Sequence, residues 1–438
     1  MKRTSPPVVK KGVLRLGLAA ALAWTLACSV ANVQAQTFTN SPYSSLGVGD
    51  LFNQSLTRQW GMGGAGIASF DYLNNNRLNP ANLADISLTT FDVYGLYNSA
   101  RLANTQSVYN YRSGTLGGLA LSFPTRAKFN FAFGLAPYSN VGYQVNDSIP
   151  SPDPTVPGKY PTSNQSEGGL SEVYVGVARK LLKKKVAVGA HINYIFGNIS
   201  EQWVTQTPDL TSRVTISRNS TIGAPAFAFG VTYTDTLFKK WLGRVGVTAK
   251  LPVTLNINQR RQVLTEAFNS QFGQFIALGS DTLSSVRFNT SVIPAKYGIG
   301  FGLEQFAKLM IVADFTYQDW RTFSFPARDQ GLKEAWRFAT GVEWIPQANG
   351  LKYYKRIAYR AGFTYENTYI QRNGTPVQNM MLTVSFGMPL FRQYSRFNFG
   401  GGIGRRGTLN NGLIQEDYFQ IMAGLTFNEI WFFKRTYD

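Results

Sequence analysis

Cysteine is almost absent: the chain holds one, Cys28. That residue falls in a stretch that reads as an export signal, so the mature chain is expected to have no disulfide, no thiol nucleophile and no cysteine metal site. Histidine is as scarce, with only His191. One imidazole is too few for a histidine-based metal site. A Ser–His triad would need that ring to touch both a nucleophile and an orienting carboxylate, and no marked nucleophile accompanies it. Charged residues make up 15% of the chain, against about 25% in soluble proteins. Long apolar runs are also missing beyond the N-terminus, because Gly, Asn and charged residues interrupt each one, so no transmembrane helix is expected. These absences leave no enzyme class and imply no cofactor.

What is present is alternation. Trp336, Phe338, Thr340, Val342 and Trp344 interleave with Arg337, Ala339, Gly341 and Glu343. Phe419, Ile421, Ala423, Leu425 and Phe427 interleave with Tyr418, Gln420, Met422, Gly424 and Thr426. Successive side chains of a strand point to opposite faces. A soluble sandwich would alternate too. Recurrence in fourteen segments after an export signal instead predicts an all-β fold, a 14-stranded antiparallel transmembrane barrel with apolar residues toward lipid. The segments begin near Thr89, Thr115, Lys128, Leu170, Val186, Ser220, Arg244, Val286, Leu309, Ala335, Ile357, Gln378, Ser395 and Tyr418. Short connections alternate with long ones, and the even count leaves both ends in the periplasm.

The export signal is expected over residues 1–35. Lys2, Arg3, Lys10, Lys11 and Arg15 precede an apolar stretch from Gly17 to Val30, and Val33-Gln34-Ala35 fits a cleavage site. Cys28 raises lipidation as an alternative, but Thr25-Leu26-Ala27 lacks the Leu at −3 and the small residue at −2 that a lipidation motif carries. Cleavage takes the formal charge from +19 to +14. The remaining Arg and Lys are scattered singly, which suits lumenal and headgroup contacts rather than nucleic acid.

Residues 36–88 do not alternate. They are rich in Gly and Asn and predict a compact plug, with the barrel over 89–438. Gly61, Gly63 and Gly66 spell the letters of a dinucleotide fingerprint. That chemistry needs a βαβ unit, so a tight turn in the plug is the better reading. Asn79-Pro80-Ala81 is a second marked element of this region. His191 shares a face with Gly189 and Asn193 and is expected to point into the lumen.

Four other features bear on function. Leu264, Phe268, Phe272 and Phe275 recur at spacings of three and four, which predicts an amphipathic helix over Leu264–Leu278. It would pack on the barrel rim, or form an apolar lip that captures a hydrophobic ligand. The five prolines between Ser148 and Pro161 are expected to keep that stretch out of a ladder. Gly134 and Pro137 interrupt the third strand and mark a possible opening in the wall, with a similar break at Gly223-Ala224-Pro225. Finally, one antiparallel register pairs Glu343 with Arg360 and Arg337 with Glu366 on the lumen side.

Several stretches together resemble the FadL-type outer-membrane transport proteins, in a Bacteroidetes-like branch. Asn79-Pro80-Ala81 is similar to that family's plug motif. Ile293-Pro294-Ala295-Lys296-Tyr297-Gly298-Ile299-Gly300, with Ala313 to Tyr317 and Trp320, resembles its mid-barrel hairpin. Tyr359 to Tyr365, Leu382 to Gly387, and Gly424 to Asn428 with Trp431, Phe432, Lys434 and Arg435 resemble its later strands and C-terminal end. The resemblance implies a plugged barrel that takes up hydrophobic, long-chain fatty-acid-like molecules and releases them sideways into the membrane. Its partners would be outer-membrane lipid and that ligand. The competing expectation is an accessory barrel subunit of a larger outer-membrane secretion or assembly complex.

Overall fold

The computed structural model describes residues 39–150, 158–238, 240–326, 331–372, 374–390 and 394–430. The expected export signal and Trp431, Phe432, Lys434 and Arg435 lie outside these residues. Fourteen strands form the barrel: β1 (Thr89–Ala103), β2 (Val108–Pro124), β3 (Phe129–Pro150), β4 (Lys159–Leu181), β5 (Val186–Gln206), β6 (Ser212–Phe238), β7 (Trp241–Lys250), β8 (Lys296–Gln305), β9 (Leu309–Asp319), β10 (Glu334–Trp344), β11 (Ala358–Arg372), β12 (Thr375–Pro389), β13 (Arg396–Arg406) and β14 (Gln415–Glu429). Neighbours pair antiparallel, β7 with β8 across residues 251–295, and β14 closes on β1 with Glu429 opposite Thr89. Among the described residues no helix is long and apolar enough to cross a membrane.

The alternation maps onto two environments. Phe338 and Trp344 of β10, Phe315 of β9 and Phe427 of β14 are exposed on the outer wall. Ala339, Glu343, Asp314 and Thr426, on the same strands, are buried inside. A strand needs about 9–11 residues to cross the hydrocarbon. β3 has 22 residues, β4 23, β5 21 and β6 27, so this side of the barrel projects beyond the outer surface. The proline-rich stretch joins that projection where it is described: Pro161 stands opposite Ser148 in the β3–β4 ladder. A proline at a non-bonding position of a ladder costs no hydrogen bond.

The segment Leu264–Leu278 is not a helix. Asn256–Asn269 and Gln274–Phe288 form an outer hairpin whose first strand pairs with Ser212–Gly223 of β6. The local reason is the turn. The Asn269 side chain accepts from the N–H groups of Gln271 and Phe272, at 2.9 and 3.2 Å, and Gly273 has φ +64°, which favours glycine. The projecting edge of β6 then supplies ladder partners that a helix would leave unused. Val286, expected to open strand eight, lies in this hairpin, and β8 starts at Lys296 instead.

Residues 39–88 run through the interior. Their regular pieces are short: 3₁₀ turns at Pro42–Ser45 and Pro80–Asp85 and one helical turn at Thr57–Trp60. Asn79 caps the second 3₁₀ turn, accepting from the Ala81 N–H at 3.0 Å, with Pro80 in the first position, where its missing N–H costs nothing.

Candidate functional site: an interior segment and a gap in the wall

The interior segment is bound to the wall on every side. At its outer end Ser41 donates to Glu416 of β14, and Arg406 of β13 meets Asp50 at 2.7 Å. In the middle, the N–H groups of Gly66 and Ile67 both donate to the Asp314 carboxylate of β9, at 2.6 and 2.8 Å. Asp92 of β1, deep in the wall, accepts from Thr57 at 3.2 Å and from the Asn75 N–H at 3.0 Å. Asn79 donates to the Ile67 carbonyl at 2.9 Å and, at longer range, to the carbonyls of Val231 and Val247.

Buried charges fasten its inner end. Arg58 bridges Asp71 at 3.0 Å and Glu343 at 2.6 Å. Arg77 meets Glu172 of β4 at 2.6 Å, and Asp85 is gripped by Arg244 of β7 at 2.5 Å and Lys180 at 2.7 Å. Burial by itself would raise the Asp85 pKa, but Arg244 and Lys180 outweigh it and hold the carboxyl below its ordinary value. Burial wins at Asp71, which is pushed up despite Arg58. Paired charges of this kind need their partners, because a lone buried charge is very costly.

The proposed late-strand pairs separate in an informative way. The register sets Glu343 opposite Arg360 and Arg337 opposite Glu366. Glu343 meets Arg360 at 2.6 Å and Arg58 on its other oxygen. Arg337 instead turns to the segment and donates to the Gly63 carbonyl at 2.6 Å. Its partner is a backbone group, which no charge pattern in the sequence marks.

Glycines let the segment's backbone touch the wall. Gly63 and Gly64 have φ near +70°. A Cβ on Gly362 of β11 would lie 2.0 Å from the Gly63 nitrogen, and one on Gly341 of β10 would lie 2.4 Å from the Met62 Cβ. A Cβ on Gly61 would strike Ser385 of β12 at 1.8 Å. Gly66 packs on Gln59 within the segment. Gly362→Val should therefore lower barrel stability by about 1–3 kcal/mol, read as a lower midpoint in a heat-dependent gel-mobility assay. An unchanged midpoint would mean that the segment is not seated there.

The ladder is broken between β2 and β3. Their pairing runs from Pro124 opposite Asn130 to Leu119 opposite Leu135 and ends there. Gly134 lies one pair inside this end, and Pro137 two residues beyond it. Past Pro137 the β3–β4 ladder shifts, while Gly117 bulges from β2 where Tyr94 meets Gly118 and Gly95 meets Leu116. Between Val108–Gly118 and Ala136–Pro150 the two edges are thus unpaired with each other. The interior segment covers part of the exposed edge. Asp50 pairs with Asn140 and Leu51 with Ser139, and the Phe52 N–H donates to the Tyr138 carbonyl at 2.9 Å. The break at Pro225 is different. There β6 changes partner, from the outer hairpin up to Gly223 to β7 from Ala228, while its ladder with β5 continues.

Two cavities lie behind the gap. The outer one, about 140 Å³, is bounded by Tyr111 of β2, Asn140 of β3, Asn98, Tyr418 and Gln420. The central one, about 230 Å³, shares Leu51, Phe52, Asn379, Tyr418 and Gln420 with it and extends to Lys250, Lys296, Arg337 and Glu366. Among the described residues no carboxylate is within salt-bridge distance of Lys296. Periodicity gave no sign of this lysine's place on the cavity wall, since a single Lys at the start of a strand reads as an interface anchor.

The remaining sequence candidates lie apart. In the outer hairpin Phe268 and Phe275 are opposite each other with ring centroids 5.4 Å apart, and Arg213 sits over Phe275 at 4.3 Å. Phe272 is exposed at the turn. His191 is buried on the inner face of β5, 5.1 Å from the Tyr174 ring.

No curated protein matches the chain in sequence. Solved structures with the same architecture include a CymD monoaromatic hydrocarbon channel, with 14% identity, TM-score 0.57 and coverage of 86% of this chain and 99% of that one. The toluene transporter TbuX of Ralstonia pickettii has 14% identity and TM-score 0.55 over 85% and 97%. A Pseudomonas aeruginosa FadL homologue has 12% identity and TM-score 0.55 over 85% and 98%. The fold is therefore that of the FadL-type channels, and these relatives are channels and transporters rather than enzymes. A family model described as BamG matches residues 19–438, so the chain belongs to the BamG family.

Proposed function

We propose that this barrel passes hydrophobic molecules with an acidic head, such as long-chain fatty acids, between its lumen and the membrane through the gap between β2 and β3, with residues 36–88 acting as the plug. The observation that carries this reading is the unpaired stretch of wall backed by two adjoining cavities. In lipid, an unsatisfied backbone group costs several kcal/mol. An edge left open at membrane depth is therefore kept for a reason, and sideways release spares an acyl chain the cost of entering water, about 0.8 kcal/mol per methylene. The cationic end of the central cavity suits the acidic head. Lys296→Gln should weaken binding of a fluorescent fatty acid by about 1.5–3 kcal/mol, the range for a hydrogen bond to a charged group, while leaving a fatty alcohol unaffected. Equal losses for acid and alcohol would remove Lys296 from the site. In capture, Phe268 and Phe275 act as a pair and Phe272 as an outlying ring, since the lip is a hairpin.

A second reading is an accessory subunit of a larger outer-membrane complex. The buried bridges from Arg58, Arg77 and Asp85 favour it, because they fasten the inner end of the segment to the wall. A fixed interior suits a sealed barrel that presents its loops to partner proteins. Stable protein partners after mild extraction, with no transported ligand, would decide for this alternative.

A further inference from the structure

We infer that the outer rim beside the β2–β3 gap binds the phosphate of an outer-leaflet lipid through Arg101, Arg112 and Arg405. Three ladders place these side chains together. Arg405 of β13 stands opposite Asp417 of β14, and Asp417 stands opposite Arg101 of β1. Arg112 of β2 stands opposite Ser99, two residues nearer the membrane on β1. All four belong to the outward face, in phase with Ile403, Phe419, Tyr97 and Leu116, which are exposed on the same strands. The row therefore lies where the wall changes from apolar to charged, at the depth of lipid headgroups.

The charges do not cancel. Arg405 meets Asp417 at 2.6 Å, and Asp417 is the sole acid on the outward face of these strands at this level, among the described residues. Arg101 and Arg112 are left with a net positive field. Loops 104–107 and 407–414 add no charged residue. The opposite side of the rim is unlike this: Asp319 and Glu334 are paired across β9 and β10 and share Arg321. Guanidinium groups fit phosphate oxygens bidentately, and a lipid phosphate adds acyl chains that lie on Leu116, Tyr97 and Phe419 just below. Attraction of basic groups to anionic lipid is local, falling off within a Debye length. The lipid is thus held at the doorway to the gap, independently of what passes through it.

The test uses the full-length barrel in nanodiscs, exposed to purified lipid A carrying its phosphate, to the same lipid after phosphatase treatment, and to inorganic phosphate alone. Bound lipid is read by native mass spectrometry. Wild type should retain phosphorylated lipid A on the order of tenfold more than the treated lipid, and inorganic phosphate should not register. The double variant Arg101→Gln with Arg112→Gln should lose that preference, and Arg101→Lys with Arg112→Lys should keep most of it. Heat-dependent gel mobility checks that each variant is folded. Equal retention of both lipids by wild type, or an undiminished preference in the glutamine variant, would overturn the inference. Binding of inorganic phosphate as readily as of lipid would overturn its lipid character. Neither result bears on uptake of fatty acid, which is measured separately.

Discussion

Cells carrying the barrel without residues 36–83 should admit small polar dyes about tenfold faster or more than cells with the intact chain. The expectation follows from what the segment occupies. A barrel of this strand number is wide enough to need filling by side chains or by inserted chain. Here Gly341 and Gly362 have no side chains, and the wall meets the backbone of Met62 and Gly63 instead. Deletion would leave those glycines facing an opening. It would also take the Gly66 and Ile67 N–H groups from Asp314, Arg77 from Glu172 and the Ser69 carbonyl from Arg244, and water would enter to solvate them. A gentler variant guards against misfolding. Arg58→Ala removes the group that Asp71 and Glu343 share, and breaking such a buried pair costs about 3–5 kcal/mol. It should loosen the inner end and raise dye entry partly. Dye exclusion preserved in both variants would transfer the seal to the outer loops.

Pinning the gap should abolish fatty-acid uptake while leaving the barrel folded. Allowing for the Gly117 bulge, extension of the β2–β3 ladder beyond Leu119 and Leu135 would bring Leu116 opposite Pro137. Cysteines at both positions can be joined by a short bis-methanethiosulfonate cross-linker, which forms a reducible disulfide with each thiol, and Cys28 is the chain's sole native cysteine. Valine at Gly134 is a poor alternative, because a Cβ there would lie 2.5 Å from the Leu119 carbonyl and 2.7 Å from the Tyr174 ring. Uptake should fall by about tenfold or more on cross-linking and recover on reductive release, as expected when closure of one route blocks a transported molecule. Undiminished uptake with complete cross-linking would exclude the gap as the exit.

Much of this architecture can be read from alternation, and the failures have physical causes. A strand buried on one face and bathed in lipid on the other has a strict period of two, so β9 to β14 and the register of Glu343 with Arg360 are legible. The upper parts of β3 to β6 are not, because beyond the membrane both faces are polar and the period fades. The outer hairpin misleads for a related reason. Phe268, Phe272 and Phe275 fall at helical spacing, yet Asn269 and Gly273 make a turn between two strands and the free edge of β6 decides the structure. Tertiary pairing overrides local periodicity there. Arg337 reached for a carbonyl rather than for Glu366, since the segment's backbone is invisible to a charge-pairing rule. The β2–β3 ladder stops at Leu135, two residues short of Pro137, which is itself paired with Ser171 of β4. What could not be read is that the Asp50–Leu51 strand covers part of the edge it leaves.

The most direct measurement is mass spectrometry of the small molecules and proteins that accompany the barrel when it is extracted gently from its native membrane. An acidic amphiphile should be present in roughly equimolar amount and should be depleted by Lys296→Gln. A barrel free of any such molecule, but accompanied by stoichiometric outer-membrane proteins, would contradict the transport account and establish the accessory subunit in its place.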